Sequence, residues 1–301
     1  MKLWTSLKRH SLFLVGFYIA VFFVLTSMAG LVCTKGQDPL LNPNAIRLSD
    51  KLLKPFTHPS AALLELEPDK RPGLGMYILG TDAFGRDVFA RMLQGAMVSL
   101  QVGFIAAGIA IAIGIILGAL AGFYGGWIDT LIMRFVDVML SFPSTFLILT
   151  IIALRPPSMA NIMMVIGFTS WMGSALFVRA QFLSLREQDF VQSARALGVS
   201  PMSLMFRHML PNAFAPLFIT INLDIASAIL AEASLSYLGF GVPPPAATWG
   251  NILADGKTYL FDAPHLTLIP GLAIFLTVLS FNLMGEGLKE TLNPRSKTNY
   301  E

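Results

Sequence analysis

The residues of this sequence that most resemble catalytic or ligand-binding motifs lack the spacing that such chemistry requires. Gly256-Lys257-Thr258 ends like a phosphate-binding loop, but five residues separate it from Gly250, where that motif has four. Serine, histidine and acidic residues occur without a nucleophile motif that joins them. Four histidines are too scattered for a metal-ligand spacing: His10, His58, His208 and His265. The sequence therefore predicts no catalytic residue and no metal site.

Two acidic residues, Asp224 and Glu232, fall inside a long apolar stretch. A charge at the centre of a membrane-spanning helix costs at least about 2.5 kcal/mol on insertion scales. A separation of eight residues places the two side chains about 12 Å apart along a helix and within roughly 80° around it. We expect both to face protein or water, either as polar packing partners or as the lining of a transport path.

A third polar group, formed by Asp82, Arg86 and Asp87, comes shortly before another apolar stretch. Two interpretations are open. It is either a solvated turn with a local ion pair, which contributes little to stability at a surface, or a group that stabilises a gate.

The elements that must position these residues are membrane helices. The chain has 301 residues, of which 54% are hydrophobic and only 13% charged, and its mean hydropathy is +0.66. Soluble domains have about 25% charged residues. Six uncharged or nearly uncharged stretches approach the roughly 20 residues that a helical span needs. The predicted spans cover residues 12–31, 98–124, 131–154, 162–178, 213–238 and 266–284.

These spans predict one all-helical transmembrane domain over residues 1–301, with no room for a nucleotide-binding domain. Gly114, Gly118 and Gly122 recur every four residues on one helix face, where another helix can approach closely. Pro143 removes a backbone donor and should kink the third span. The single cysteine, Cys33, excludes an intrachain disulfide and any multi-cysteine metal site. No basic stripe with interleaved aromatic residues indicates a nucleic-acid partner.

The distribution of basic residues predicts the orientation of the chain. Six spans place both termini on one side of the membrane, and cytoplasmic termini put eleven Lys and Arg residues inside and two in short outer loops. The outer segment 34–96 holds the other eight beside seven acidic residues. We therefore expect both termini in the cytoplasm.

The first apolar run also fits a signal peptide, but its length favours an uncleaved helix. The terminal residues that contribute to the count are Lys2, Lys8, Arg9, Arg295 and Lys297.

The segment between the fourth and fifth spans, at about residues 181–212, is too polar for lipid and patterned like two short helices. Asp189 is placed to cap the first helix, and Gly198 to stop it. Ser200 is placed to cap the second, with Pro201 at its first position and Pro211 at its end. Small side chains at Ser193, Ala194 and Ala196 allow a close approach, and Val191 and Leu197 offer apolar contact.

This segment resembles the EAA loop of ATP-binding-cassette importer permeases. The resemblance rests on Gln192-Ser193-Ala194, Gly198, Arg207-His208 and Leu210-Pro211-Asn212 in the family's order and spacing. The family form begins Glu-Ala-Ala, from which Gln192 and Ser193 depart. The resemblance implies that Gln192, Ser193, Ala194, Leu197, Gly198, Arg207, His208, Pro211 and Asn212 couple the membrane helices to ATPase subunits.

Other motifs are similar to the dipeptide, oligopeptide and nickel permeases. Leu79 to Asp87 resembles the entry signature of that group, although Met97 stands where an Arg is common. The remaining similarities extend the resemblance over about residues 79–295: Arg179, Phe190-Val191, Glu232, Leu235 to Gly239, Pro270 to Ala273, and Phe281 to Leu283. In length and in its single leading span, the chain looks like the C-type subunit.

The resemblance implies a permease subunit that is no enzyme by itself and translocates peptides across the bacterial cytoplasmic (inner) membrane. It implies a second, B-type permease, two cytoplasmic ATPase subunits that bind ATP and Mg, and an extracytoplasmic substrate-binding protein. No cofactor is expected on the chain itself. The cargo stays open between dipeptide, longer peptide, peptide antibiotic and nickel chelate. Two rival functions are an ion-coupled secondary transporter that uses Asp224 and Glu232, and an intramembrane hydrolase, for which no paired catalytic constellation is found.

Overall fold

The computed structural model describes residue 7 and residues 10–36, 39–60 and 73–292. Among these residues there is no β-strand, and two isolated antiparallel bridges, between Thr57 and Tyr77 and between Thr81 and Asp87, tie the chain ahead of the second long helix. The helices are α1 Ser11–Cys33, α2 Val88–Tyr124, α3 Gly126–Ser141, α4 Ser144–Ala153, α5 Met159–Arg186, α6 Asp189–Ala196, α7 Pro201–Tyr237, α8 Trp249–Gly256 and α9 His265–Leu292.

Five helices, α1, α2, α5, α7 and α9, are long and apolar enough to cross a membrane, and α3 with α4 forms a bent pair that counts as a sixth span when the two are taken together. The two members of the pair meet at 82°. Pro143 lies at the break, where it lacks an N–H and holds Phe142 in extended backbone. The predicted all-helical membrane fold is therefore confirmed, and the predicted third span corresponds to a pair of helices bent at the proline.

Several helices extend beyond the predicted spans. The second begins at Val88 instead of residue 98, and the fourth covers Met159–Arg186 instead of 162–178. At 37 residues, α2 is about 55 Å long, whereas the hydrocarbon core of a bilayer is about 30 Å thick. Hydropathy marks only the part of a helix that lies in lipid, so polar turns outside the membrane are not counted.

The centre of the fold is the contact between α2 and α5, which packs closely because small residues line it. A Cβ added to Gly114 would lie 2.5 Å from the Cβ of Ser174, and one added to Gly122 would lie 2.6 Å from the Cβ of Phe182. Gly118 would similarly place a Cβ 2.5 Å from the carbonyl oxygen of Ala175. The predicted glycine face is therefore a helix–helix contact.

The first helix also packs onto the bundle through glycines that allow close helix contact. A Cβ on Gly16 of α1 would lie 2.5 Å from the carbonyl oxygen of Ser280 in α9. In the same contact, a Cβ added to Gly287 of α9 would lie 2.7 Å from the Cβ of Phe13 in α1. Further along α1, Phe23 packs edge-on against Trp249 at 5.2 Å between ring centroids. These contacts attach α1 to α9 and α8.

Candidate functional site

The segment between α5 and α7 begins with α6, whose N-cap residue is Gln188 and not Asp189 as predicted. Asp189 is instead the first helical residue, exposed, and makes no side-chain cap. The side chain of a residue already inside the helix cannot occupy the cap position, but its negative charge still interacts favourably with the helix N-terminus.

Gly198 ends α6 in the left-handed conformation that the sequence predicts, with φ at +77°. The N–H of Gly198 donates to the carbonyl oxygen of Arg195 at 3.0 Å, and the N–H of Val199 donates to that of Ala194 at 3.1 Å. This pair of bonds is a Schellman motif, which satisfies the last carbonyl groups of a helix. A Cβ at Gly198 would meet open space. The requirement for glycine is therefore conformational and not steric.

The second part of the segment is continuous with the fifth span, so the prediction that Pro211 ends a separate helix is wrong. After Pro201, residues Leu204–Met209 form a π-helical segment that leads directly into Leu210–Tyr237. The N–H of Leu210 donates to the carbonyl oxygen of Met205, five residues earlier. Pro211 lies in the first turn that follows, where a missing N–H is tolerated. Ser200 precedes the helix but makes no side-chain cap.

An apolar underside attaches this segment to the ends of the long helices. Val191 of α6 and Met205 and Met209 of the π-helical turn are fully buried. They pack in one cluster with Phe182 of α5 and with Phe123 of α2. Val191 therefore faces the protein and is not available to a partner, contrary to the prediction.

The opposite surface is exposed, and we call it the coupling face. It comprises Gln192, Ser193, Leu197, Gly198, Met202 and Phe206. Leu197 is 85% exposed and Met202 is 63% exposed, which is unusual for large apolar side chains on a polar segment. Gln192 is held by a hydrogen bond from its Nε2 to the carbonyl oxygen of Arg186 at 2.9 Å. The face thus presents apolar side chains in a polar setting.

The other predicted coupling residues border this face. Ala194 is half-buried and packs on the apolar underside. Arg207 and Pro211 are exposed, and His208 is half-buried. Asn212 donates from Nδ2 to the carbonyl oxygen of His208 at 2.6 Å, which bridges the π-helical turn and the start of the following α-helix.

The two intramembrane acids face protein and bind hydroxyl groups. Ser174 of α5 donates to Oδ2 of Asp224 in α7 at 2.5 Å. Glu232 is fully buried and accepts from Ser236 one turn later, with 2.6 Å between Oε1 and Oγ. Asp224 therefore bridges two spans, whereas the hydrogen bond from Ser236 to Glu232 is internal to α7. Nothing in this arrangement supports an ion-coupled transporter.

The turn formed by Asp82, Arg86 and Asp87, which we call the outer turn after its predicted side of the membrane, is buried and not solvated. Asp82 and Asp87 are 4% and 3% exposed. Oδ2 of Asp82 accepts from Nε of Arg86 at 2.6 Å, and its Oδ1 accepts from two backbone N–H groups of the turn. Asp87 caps α2, since its Oδ1 accepts from the N–H of Phe89 at 2.8 Å. Burial raises the pKa of Asp87, and the capping hydrogen bonds partly oppose this.

The outer turn and the coupling segment occupy opposite ends of the same helix. The turn caps α2 at Val88, and the coupling segment packs on Ala119 and Phe123 near its C-terminus. The length of α2 separates these ends by about 50 Å, more than the thickness of a hydrocarbon core. The two sites therefore lie on opposite sides of a membrane.

Comparison with known proteins identifies the family. Residues 114–298 match the family described as binding-protein-dependent transport system inner membrane component. The chain belongs to this family. It is a multi-pass inner-membrane permease subunit of an ATP-binding-cassette importer, and not an enzyme.

Individual relatives agree with this assignment. The permease is 37% identical over 293 residues to the dipeptide transport system permease protein DppC of Alkalihalophilus pseudofirmus, a match that covers 97% of this chain and 89% of that protein. It is 39% identical over 220 residues to the glutathione transport system permease protein GsiD of Pectobacterium atrosepticum, with 73% of each chain covered.

A solved structure supports the fold of the permease. A chain of the MetNI methionine ABC transporter in inward-facing conformations matches with a TM-score of 0.52 at 16% identity, covering 68% of this chain and 98% of that chain. Family membership implies ATPase subunits, a permease partner and a binding protein in general terms.

The sequence analysis did not identify two ionic groups of the permease. Asp129 of α3 receives a paired hydrogen bond from Arg179 of α5, with Nε at 2.5 Å from Oδ1 and Nη2 at 2.7 Å from Oδ2. On the outer side, Arg91 and Asp255 join the cluster around Asp82. The members of each group are 50 or more positions apart, except for Arg91 and Asp82, so spacing gives no signal.

Proposed function

We propose that this permease forms half of a heterodimeric path for short peptides. The observation that carries the proposal is the match to a dipeptide permease over 97% of the chain. The glutathione permease supports it, because glutathione is itself a short peptide. The cargo class is therefore a peptide of two or three residues, in preference to a sugar or a single ion.

The coupling face is the proposed contact with the ATPase subunits. Its exposed Leu197 and Met202 are suited to insertion into an apolar groove, as helices docking into grooves commonly are. The apolar underside joins the face to α5 and α7, and the π-helical turn leaves no loop between the face and the fifth span. Movement of the docked face is therefore transmitted to membrane helices, which alternate between inward-open and outward-open states as ATP binding changes their relative stability.

Both termini are proposed to lie in the cytoplasm. The terminal basic residues that support this, Lys2, Lys8, Arg9, Arg295 and Lys297, lie outside the described residues. Within the described part of the chain, the separation of the coupling face from the outer turn by the length of α2 is consistent with the orientation. The outer turn then faces the binding protein.

A second permease is proposed to cover the bent pair formed by α3 and α4. Phe135 and Phe146 on this pair are 53% and 70% exposed, and Pro143 at the break is exposed as well. α3 also presents Arg134 and Asp137, an exposed ion pair at 3.9 Å that lipid would not solvate. A protein partner with a water-lined path between the two subunits would accommodate both the apolar and the charged side chains.

Uptake by reconstituted vesicles tests the proposal. The complete complex, with ATP inside the vesicle and loaded binding protein at the outer face, should take up a labelled dipeptide. Dissipation of ion gradients with an uncoupler should leave uptake unchanged, whereas removal of ATP should abolish it. ATP-driven uptake of a sugar without uptake of any peptide would contradict the cargo assignment, and uncoupler-sensitive uptake would contradict the energy source.

A further inference from the structure

A cavity of about 970 Å³ opens on the outer side of the protein. Its walls come from the outer turn, from the connection between α4 and α5, and from the stretch that joins α7 to α8. Phe84, Tyr237 and Phe240 contribute exposed rings, and consecutive prolines at positions 243–245 form part of the rim. The volume and the apolar walls are those of a small-molecule site.

The charged residues around this cavity are mostly cationic. Among the described residues, four cations line it, Arg86, Arg91, Arg155 and Lys257, against a single acidic residue, Asp255. Asp82 pairs with Arg86 but does not line the cavity. Even with Asp82 included, the local charge is +2. The cavity therefore favours an anion.

Arg91 is the deepest of these cations, and its hydrogen-bonding capacity is not fully used. Its side chain is 3% exposed, with Nε 3.6 Å from Oδ2 of Asp82 and Nη2 3.9 Å from Oδ2 of Asp255. Both distances exceed that of a hydrogen bond. Its Nη1 is buried and has no hydrogen-bond partner among the described residues. A buried guanidinium N–H group without an acceptor costs free energy that a bound carboxylate would recover.

Neither acidic neighbour accepts a hydrogen bond from Nη1. Oδ2 of Asp82 is already bound by Arg86 at 2.6 Å. Asp255 is half exposed and also lies 3.4 Å from Nη2 of Arg86. A small cavity of about 20 Å³ beside Arg91 has room for one water molecule. Water would satisfy a donor, but it would leave the positive charge of the larger cavity unbalanced.

We propose that this outer cavity binds the C-terminal carboxylate of a transported peptide, with Arg91 as the carboxylate ligand and Tyr237 and Phe240 contacting the last side chain. The assignment rests on the proposed peptide-import function and adds a binding subsite on the permease itself. Lys257 lies over the ring of Tyr237, 4.8 Å from its centroid, and donates to the carbonyl oxygen of the same residue at 3.4 Å. It thereby adds positive charge to this wall.

Direct binding to the reconstituted complex tests the subsite without the binding protein. The probe is tritiated Ala-Phe, displaced from nanodisc-embedded complex either by unlabelled Ala-Phe or by its C-terminal amide, with and without a non-hydrolysable ATP analogue. Loss of a charge-assisted hydrogen bond predicts an amide that displaces the probe about 10- to 100-fold more weakly than the acid. Equal displacement by acid and amide would overturn the proposal and leave a site filled by water.

Substitutions at the cavity test which residues produce the preference for the acid over the amide. Arg91→Lys keeps the charge but loses the fork of donors, and should reduce the preference for the acid. Lys257→Gln at the exposed rim should reduce it several-fold and carries the test if the Arg91 variant does not assemble. Lys51→Gln is the matched control, because it removes an exposed cation from the outer segment without touching the cavity.

The outcomes separate this subsite from the import function. Binding-protein-dependent uptake of dipeptide together with no acid preference in direct binding would refute the subsite alone. Unchanged direct binding in the Arg91 and Lys257 variants, with weakened stimulation of ATP hydrolysis by the binding protein, would show instead that the cavity docks that protein. Absence of peptide uptake by the unmodified complex would refute the import function itself.

Discussion

Replacement of Gly198 tests whether the end of α6 transmits motion from the ATPase subunits. Gly198→Val places a β-branched residue at φ +77°, a conformation that such residues disfavour strongly. The variant should insert into the membrane and pair with the second permease, because a Cβ at this position would meet no atom within 4 Å. Docking of the ATPases and stimulation of ATP hydrolysis by substrate should be weakened.

The expected free-energy cost of Gly198→Val follows from the backbone conformation alone. A Cβ at position 198 would meet no atom within 4 Å, so steric overlap contributes nothing. The left-handed conformation costs about 1–2 kcal/mol for a residue with a Cβ. That free energy changes the population of the native helix end by roughly 5- to 30-fold. Loss of the Schellman bonds to Arg195 and Ala194 would re-aim α6 relative to Pro201.

Gly198→Asn is the matched control, since asparagine tolerates the left-handed region while filling the same exposed space. The assays are copurification of the ATPases, ATP turnover with and without loaded binding protein, and dipeptide uptake. Valine should impair all three and asparagine should largely preserve them. Equal impairment by both would show that bulk at the coupling face matters and not the backbone conformation, and full activity of Gly198→Val would refute the role of this helix end.

Three further predictions concern the membrane domain. Gly118→Ala should destabilise the protein by about 1–3 kcal/mol in detergent unfolding, since its Cβ would lie 2.5 Å from a carbonyl oxygen of α5, whereas Gly108→Ala has open space and should be neutral or stabilising. Asp224→Asn keeps an oxygen for Ser174 and should preserve uptake, while Asp224→Leu should lower stability by about 0.6–1.7 kcal/mol; equal thermal stability would contradict this. A membrane-impermeant thiol reagent should label Cys33 in intact cells if the termini are cytoplasmic, and labelling only after lysis would reverse the orientation.

The sequence identifies the spans because each requires a long apolar stretch, but it does not define their ends. The first turns of α2 include the polar residues Arg91 and Gln94, and they pack on α8: a Cβ on Gly95 would lie 3.0 Å from the Cδ1 of Trp249. This contact joins residues more than 150 positions apart. Periodicity within one segment contains no information about it.

Local backbone chemistry was predicted better than side-chain environment. The left-handed turn at Gly198 follows from the residue type and its position after a helix. The continuity of α7 through Pro211 does not, because the proline by itself does not show that a π-helical turn precedes it and joins the two parts of the helix. The burial of Asp82 could not be predicted from the sequence either. The residues that surround this side chain include Arg91 and the outer end of α8.

The fifth span connects the two sites of this permease. α7 begins at Pro201 beside the coupling face and ends at Tyr237 in the wall of the outer cavity, about 55 Å away. A displacement applied at the first end would reach the second through one helix, which the hydrogen bond between Ser174 and Asp224 joins to α5. Pro216 interrupts the backbone hydrogen bonds near the coupling end, which makes that position the natural place for the helix to bend. Bending there would let the coupling segment reorient, while the tie at Asp224 transfers the remaining motion to the outer wall.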